Sequence, residues 1–518
     1  MAQSVVKEPA RTREAPPSVL GHAETSAWRA LVASPLLIAS VACLSLAALS
    51  AVTLPTVPSY DPWSWIVWGR EVVDPHLSFA VSGGPSWKPL PFIFTTIFGL
   101  FGGAAPTLWV IVARAGGLMG LVAAYRLASR LVGGGAWGAV AGLLAGIAVV
   151  LTQDWGYYMF RGTSEPLLIG TTLWAVDRHL ARRYGSAFVL AAATGLMRPE
   201  AWPFIGIYAI WLWLREPRLR LLLVAGLASI PFFWFVPPWI GSGQPFLAAT
   251  HAHEYNGHLG SDPFVEVLRR GANLQVAPAL IGAIVAAVLA LMSWVRGSPI
   301  DGPDGSLDRD RLTVWLAGLI IGWWVVVVAM TLGGYPGLER FFLPAAALIC
   351  VLAGVGVVRV AQLLDGVLPE PRLHSAWVPA AVALVLVAVS VPFITPRISV
   401  ARAQEPIAAR AVTRLDQLGA AVTAVGGHDG VYPCQTSFAA VNHSLATALA
   451  WKLHVTLGRV GASMVHQGLM FVGPHDSIDG AAPPIVPQLS QRQLIARAGV
   501  WRIYRVTSPG ADTACVGR

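Results

Sequence analysis

Residues Tyr60–Pro91 read YDPWSWIVWGREVVDPHLSFAVSGGPSWKPLP. The stretch follows directly on the first long apolar run, and it sets Asp61, Glu71, Asp74, His76 and Lys88 among Trp63, Trp65, Trp68 and Trp87. Tryptophan favours the membrane–water boundary, where its ring is in apolar surroundings and its N–H reaches water. The stretch is therefore expected to lie on the bilayer surface, its tryptophans in that boundary and its carboxylates at the level of the lipid headgroups. Pro62 suits the start of a short interfacial helix, Trp63–Val72, with Asp61 as its N-cap. Taken alone, the stretch reads as an anchor with solvated charges; the rest of the chain changes that reading.

The 518 residues are 55% hydrophobic and only 12% charged. A soluble domain carries about 25% charged residues, so the fold class is a polytopic all-α membrane protein. The net charge of +9 does not imply nucleic acid, because most arginines sit in short loops between apolar runs. Residues 1–29 read as a disordered cytoplasmic tail without a cleavable signal. A spanning helix needs about 20 apolar residues. Ala30–Leu54 is the first span, and further runs from Leu108–Leu131 to Ala376–Ile394 bring the total to about eleven within residues 30–396. Leu90–Gly103 is short, carries Pro91 and follows Pro89, so it reads as an interfacial or re-entrant helix inside an external loop of residues 55–107.

An odd number of spans places the termini on opposite sides. The arginine bias, with Arg126, Arg130, Arg178, Arg182 and Arg183 among the loops on the N-terminal side, predicts a cytoplasmic N-terminus in the plasma (inner) membrane. Residues 397–518 are more polar and read as a small extracytoplasmic α/β domain. In that oxidising compartment Cys434 and Cys515 are expected to form a disulfide closing a loop of roughly 80 residues, a contribution of about 4 kcal/mol. Cys43 and Cys350 lie in apolar runs and read as inert.

Three further loops on the same side carry charge. TQDWGYYMFRGTSEPLLIG holds Asp154, Arg161 and Glu165; GLMRPEAW holds Arg198 and Glu200; GYPGLERFFLP holds Glu339 and Arg340. An ionisable group within the membrane costs at least about 2.5–3.5 kcal/mol, which makes it a functional candidate. Arginine also suits phosphate, because its planar fork holds two oxygens. Singly, each residue reads as an anchor or a local ion pair, such as Arg198 with Glu200. Together they suggest a site for a phosphorylated lipid. ATHAHEYNGHLGSD adds His251, His253, Glu254, His258 and Asp262. Its spacing matches no closed zinc pattern, so the segment reads as a polar loop, with His253 a candidate for substrate contact and a divalent metal the alternative. No cofactor is expected.

These motifs and their order resemble the GT-C superfamily of integral membrane glycosyltransferases, in the branch of protein O-mannosyltransferases, lipid A aminoarabinose transferases and actinobacterial arabinosyl- and mannosyltransferases. The resemblance covers about residues 30–395. It rests on Asp61 in SYDPWSW, on Lys88-Pro89-Leu90 with Leu90 in place of a second proline, and on Glu165 in GTSEPL. It rests further on Arg198-Pro199-Glu200 and on Arg340-Phe341-Phe342-Leu343-Pro344. The resemblance implies transfer of a sugar from a polyprenyl phosphate to a hydroxyl of an envelope glycan, lipid or protein. An attacking hydroxyl needs a base, for which Asp61 is the first candidate and Glu165 the second. The leaving phosphate needs charge stabilisation, from Lys88, Arg198 and Arg340, with Glu200 beside them. One base and no covalent intermediate imply inversion. A lipid transporter or flippase is the alternative from another class, but the chain lacks the paired halves common in transporters.

Overall fold

The computed structural model describes residues 35–81, 84–85, 87–254, 262–296, 309–367, 377–476, 482–488, 490–507 and 515–517. The chain forms two units, residues 1–42 and 43–518. In the first, the described part is the start of helix α1 (Pro35–Thr53), which runs on into the second. The second unit is a helical membrane domain followed by a small mixed sheet, as the composition predicts.

The helices of the membrane domain are α2 (Tyr60–Val73), α3 (Pro89–Gly99), α4 (Ala105–Leu131), α5 (Gly135–Val150), α6 (Trp155–Arg161), α7 (Glu165–Leu180), α8 (Tyr184–Gly195) and α9 (Trp202–Arg215). They continue with α10 (Arg220–Ser242), α11 (Leu247–Glu254), α12 (Pro263–Asn273), α13 (Ala277–Arg296), α14 (Arg309–Leu332), α15 (Leu343–Val367) and α16 (Trp377–Ala424). Every expected span falls on one of these helices. Among the described residues, though, six are long and apolar enough to cross a membrane, seven if the bent pair α5–α6 counts as one span. Of the five expected spans outside those six, one lies on the long helix α16 and four lie on helices too short to cross. α5 and α7 have 16 residues each, α8 has 12 and α9 has 14. At 1.5 Å per residue none exceeds about 24 Å, short of a core of roughly 30 Å. α3 is the short helix expected over Leu90–Gly103, with Pro89 and Pro91 in its first turn.

Two close backbone contacts fix the frame that carries the charged loops. A Cβ on Gly170 of α7 would lie 2.4 Å from the Gly116 carbonyl oxygen of α4, so these helices cross backbone to backbone. A Cβ on Gly69 of α2 would lie 2.4 Å from the Thr95 carbonyl carbon of α3. Thr95 Oγ1 donates to the Trp65 carbonyl at 2.7 Å across that same crossing. The buried Arg114 of α4 then secures the end of α1. Its Nη1 donates to Ser50 O at 2.9 Å and its Nη2 to Pro55 O at 2.7 Å, tying the last turn of α1 to the residues just past it.

The tryptophans of the opening stretch do not face lipid. Trp63, Trp65, Trp68 and Trp87 are all buried. Trp65 packs edge-on to Trp109 at 5.6 Å, and Trp87 lies 5.5 Å from Trp68 while its Nε1 donates to Phe233 O. The stretch is an internal plug of the protein: α2 crosses α3 too closely to leave its rings outside.

α16 is one helix of 48 residues that runs through position 397 without a break. It leads to five strands, β1 (Phe438–Val441), β2 (Val460–Gly461), β3 (Gly468–Val472), β4 (Gln491–Ala498) and β5 (Trp501–Thr507), in the order β2-β1-β3-β5-β4. β1 runs parallel to β2 and β3, and β5 antiparallel to β3 and β4. Helix α17 (Ala446–Leu453) lies between β1 and β2 in sequence. Phe438, Met464, Met470 and Val506 form the core of this domain. Cys434 and Cys515 are joined in the expected disulfide, with Cα atoms 5.1 Å apart.

Candidate active site

Asp61 is not an N-cap. α2 begins at Tyr60, one residue before it, and Ser59 occupies the cap position without a side-chain bond to the helix. Asp61 therefore sits in the first turn, where the helix dipole favours a negative charge. Its Oδ2 lies 3.2 Å from Arg340 Nη1, and both side chains keep some exposure, 22% and 35%. Arg340 stands in the short 3-10 turn Glu339–Phe342 ahead of α15. That turn is held by Trp323, whose Nε1 donates to Phe341 O at 2.8 Å.

Glu165 opens α7 and is buried, with 1% exposure. Its Oε1 accepts from Lys88 Nζ at 3.3 Å and from Arg198 Nη2 at 2.9 Å. Lys88 also donates to Ser164 Oγ at 2.7 Å and lies 5.2 Å from the Trp65 ring centre. Arg198 stacks over Phe341 at 4.8 Å. Burial pulls the Lys88 amine down to about 8; Glu165 opposes the shift, and the Arg198 and Arg340 charges add to it. Asp61 also acts on Lys88, and Arg340 on Glu165, so the two ion-paired groups form one electrostatic network.

Leu90 has a local reason to replace proline. Its N–H donates to Leu196 O at 3.1 Å, a bond proline cannot make. That bond ties the residues after Lys88 to the residues before Arg198. Arg198 itself is positioned by its N–H, which donates to Thr194 O, and by Pro199 at the start of a 3-10 turn. It does not pair locally with Glu200. Glu200 is buried within reach of the Arg198, Lys88 and Arg340 charges, and its Oε2 has no hydrogen-bond partner. The Nε groups of Arg198 and Arg340 are likewise buried without one. Unused guanidinium donors beside an open network suit an incoming anion.

Of the residues singled out from sequence, Asp61, Lys88, Glu165, Arg198, Glu200 and Arg340 thus converge. His253 stands apart, on α11, exposed, with Nδ1 2.8 Å from Ala249 O. Its ring meets Tyr335 at 5.3 Å, and Tyr335 meets Phe341 at 6.4 Å, so it is two rings removed from Arg198. Asp262 caps α12, accepting from the Phe264 and Val265 N–H groups, and His258 lies outside the described residues. Sequence reading missed Ser164, Trp65 and Phe341. Each neighbours a flagged motif residue in sequence or along a helix turn, but only the fold turns it toward the charges.

Two solved structures are similar over nearly the full chain, both of ArnT from Cupriavidus metallidurans. The apo form has a TM-score of 0.49 at 14% identity, covering 93% of this chain and 98% of that one. The form bound to undecaprenyl phosphate has a TM-score of 0.50 at 14% identity, covering 94% of this chain and 100% of that one. The chain shares the fold of the lipid-bound ArnT structure, a polytopic helical membrane domain with a small C-terminal α/β domain, as its sequence predicts. No protein-family model matches the chain, and no curated protein does. Within this fold, the network joins the first turn of α2, the start of α3, the head of α7 and the turns before α9 and α15.

Proposed function

We propose that the protein is a membrane glycosyltransferase that moves a sugar from a polyprenyl-phosphate donor to a hydroxyl on an envelope glycan, lipid or protein. The convergence of Lys88, Arg198 and Arg340 around Asp61 and Glu165 carries this reading. It supplies cations for a leaving phosphate and a carboxylate for an attacking hydroxyl. The likeness to the ArnT structure bound to undecaprenyl phosphate supports a polyprenyl-phosphate ligand.

In the proposed mechanism the donor phosphate enters between the three cations and competes with Asp61 for Arg340. As Arg340 turns to the phosphate, Asp61 loses its ion pair and is free to accept the proton of the acceptor hydroxyl. The oxygen attacks the anomeric carbon from the face opposite the phosphate, the C–O bond to phosphate breaks with its electron pair, and the configuration inverts. Glu165 keeps Lys88 and Arg198 in place. The site faces the outside, with the N-terminus cytoplasmic and the C-terminus extracytoplasmic, in keeping with the arginine bias and the Cys434–Cys515 disulfide.

The test is sugar release from a defined polyprenyl-phosphate sugar by purified protein in nanodiscs, with acceptor extracts fractionated into glycan, lipid and protein. Transfer to one fraction, with free polyprenyl phosphate as co-product, is expected. Binding of the lipid without release of sugar would point to a transporter instead.

A further inference from the structure

Helix α2 is gripped along its length by the C-terminal domain. At its start, Thr447 Oγ1 of α17 donates to Tyr60 O at 3.1 Å, and the Tyr60 ring lies 4.9 Å from that of His443. One turn on, Trp63 meets Trp451 at 5.9 Å. Toward the end, the buried guanidinium of Arg70 donates from Nη1 to Trp451 O at 3.1 Å, and from Nη2 to Val455 O at 2.9 Å and Ala450 O at 3.4 Å. It also lies 4.6 Å over the Trp451 ring. Just past the helix, Asp74 Oδ2 is 2.7 Å from His454 Nε2.

Arg70 thus adds a second donor to the Ala450 and Trp451 carbonyls in the last turn of α17 and bonds the Val455 carbonyl just past it, with its charge at the negative end of that helix. Nothing in simple domain docking requires this, since an apolar side chain would fill the same interface without the cost of burying a guanidinium. A guanidinium spread over three carbonyls on two sides of a helix end fixes direction as well as contact. What it orients is the helix whose first turn carries Asp61. Asp61 follows Tyr60 directly, and the carbonyl of Tyr60 is itself bound by the same domain.

We infer that Arg70 and α17 are positioning elements: the C-terminal domain sets the place of Asp61 relative to Arg340 and the donor. This inference rests on the proposed transferase reading for its consequence, though not for its geometry. None of these groups touches the donor site, so loosening the grip is expected to spare donor binding and impair the step that needs Asp61 in place. A displacement of about 1 Å can cost about a hundredfold in rate.

The experiment compares wild type, Arg70→Met, Arg70→Lys and the milder Thr447→Val in nanodiscs. Amide exchange of the α2 peptide, binding of polyprenyl phosphate, and kcat and KM for the lipid-linked sugar are measured on the folded fraction of each. The expected result for Arg70→Met is faster exchange in α2, polyprenyl-phosphate affinity within about twofold of wild type, and kcat down at least about tenfold. Arg70→Lys, which keeps one donor to the carbonyls, falls between, and Thr447→Val moves the same way by less. Unchanged exchange in both Arg70→Met and Thr447→Val would overturn the grip. Faster exchange with unchanged kcat would overturn its positioning role, as would losses of kcat and affinity in equal measure. Faster exchange in a chain that transfers no sugar even as wild type would leave the grip standing and remove the transferase reading.

Discussion

Arg340 Nη1 lies 3.2 Å from Asp61 Oδ2, although 279 residues separate the two in sequence. The pair joins the first turn of α2 to the turn ahead of α15. Both side chains keep some exposure, so the pair itself adds at most about 1 kcal/mol to stability. Its use lies elsewhere: it holds a cation ready for phosphate and keeps a carboxylate beside it. Arg340→Ala is expected to weaken polyprenyl-phosphate binding by about 1.5–3 kcal/mol, the loss of one charge-assisted hydrogen bond. The melting temperature should hardly move. Calorimetric titration in nanodiscs measures the first and a thermal shift assay the second; full lipid affinity in the variant would remove Arg340 from the phosphate site.

Glu165 is a different kind of carboxylate. It is 1% exposed and is the shared acceptor for two buried cations, Lys88 and Arg198. Breaking a buried pair by removing one partner costs about 3–5 kcal/mol, because the remaining charge is left uncompensated. Glu165→Gln is therefore expected to lower thermal stability by several degrees and to cost sugar transfer and donor binding together. A stable Glu165→Gln protein that binds donor but does not turn over would instead make Glu165 the base.

Much of this was legible in the sequence, and the limits have physical causes. The composition and the apolar runs located the helices of every expected span, because burial in lipid leaves a strong one-dimensional signal, but not the short polar-flanked helices α6, α11 and α12. The runs under α5, α7, α8 and α9 are short in the sequence as well, and where each helix ends depends on what its neighbours cover. Six site residues could be named because a charge beside an apolar run is costly and therefore conspicuous. Their partners could not. Arg198 has Glu200 two positions away and pairs with Glu165 instead, a choice made by the bond from Leu90 N to Leu196 O and by the crossing of α4 and α7. The tryptophans misled, because their preference for a membrane boundary describes lipid-facing rings and these are packed inside. Arg70 gave no signal at all, because its partners are backbone carbonyls, which have no sequence signature.

Glu71 allows a prediction on pH. Burial pushes its carboxyl up to about 7, although the Ala80 N–H, bonded to Oε2 at 3.0 Å, and the Arg70 charge act against the shift. The Leu457 N–H also acts against the shift, and burial outweighs all of these. Between pH 4.5 and about 7 the folded state binds the proton more tightly than the unfolded chain. Stability from this group is thus full below pH 4.5 and is lost as pH rises toward 7. The whole effect is roughly 3 kcal/mol as an upper bound. Glu71→Gln keeps an acceptor for Ala80 and removes the titration. It is expected to raise the melting temperature at pH 8 by a few degrees and to leave it unchanged at pH 4. Parallel melting curves for both proteins across that range would show that Glu71 does not titrate with folding.

Asp61→Asn separates the proposed base from the structural roles of the same residue. Asp61 does not cap α2, so Asn has no cap to restore. It forfeits a favourable first-turn charge, about 0.3–1 kcal/mol, and an ion pair of at most about 1 kcal/mol. The folded protein should therefore survive with a small loss of stability. Donor binding should persist or tighten, because Arg340 no longer has a carboxylate competing with the phosphate. This is the opposite sign to Arg340→Ala, and it rules out a shared loss of the site as the explanation. An amide cannot take the proton of the acceptor hydroxyl, so transfer should fall about 10²–10⁴-fold. The measurement is single-turnover sugar transfer by purified Asp61→Asn protein at saturating lipid-linked sugar, with polyprenyl-phosphate binding measured on the same sample. Transfer near the wild-type rate would take Asp61 out of the mechanism. Glu165, the acceptor shared by Lys88 and Arg198, would then be the alternative, because the carboxyl of Glu71 is bonded to the Ala80 N–H.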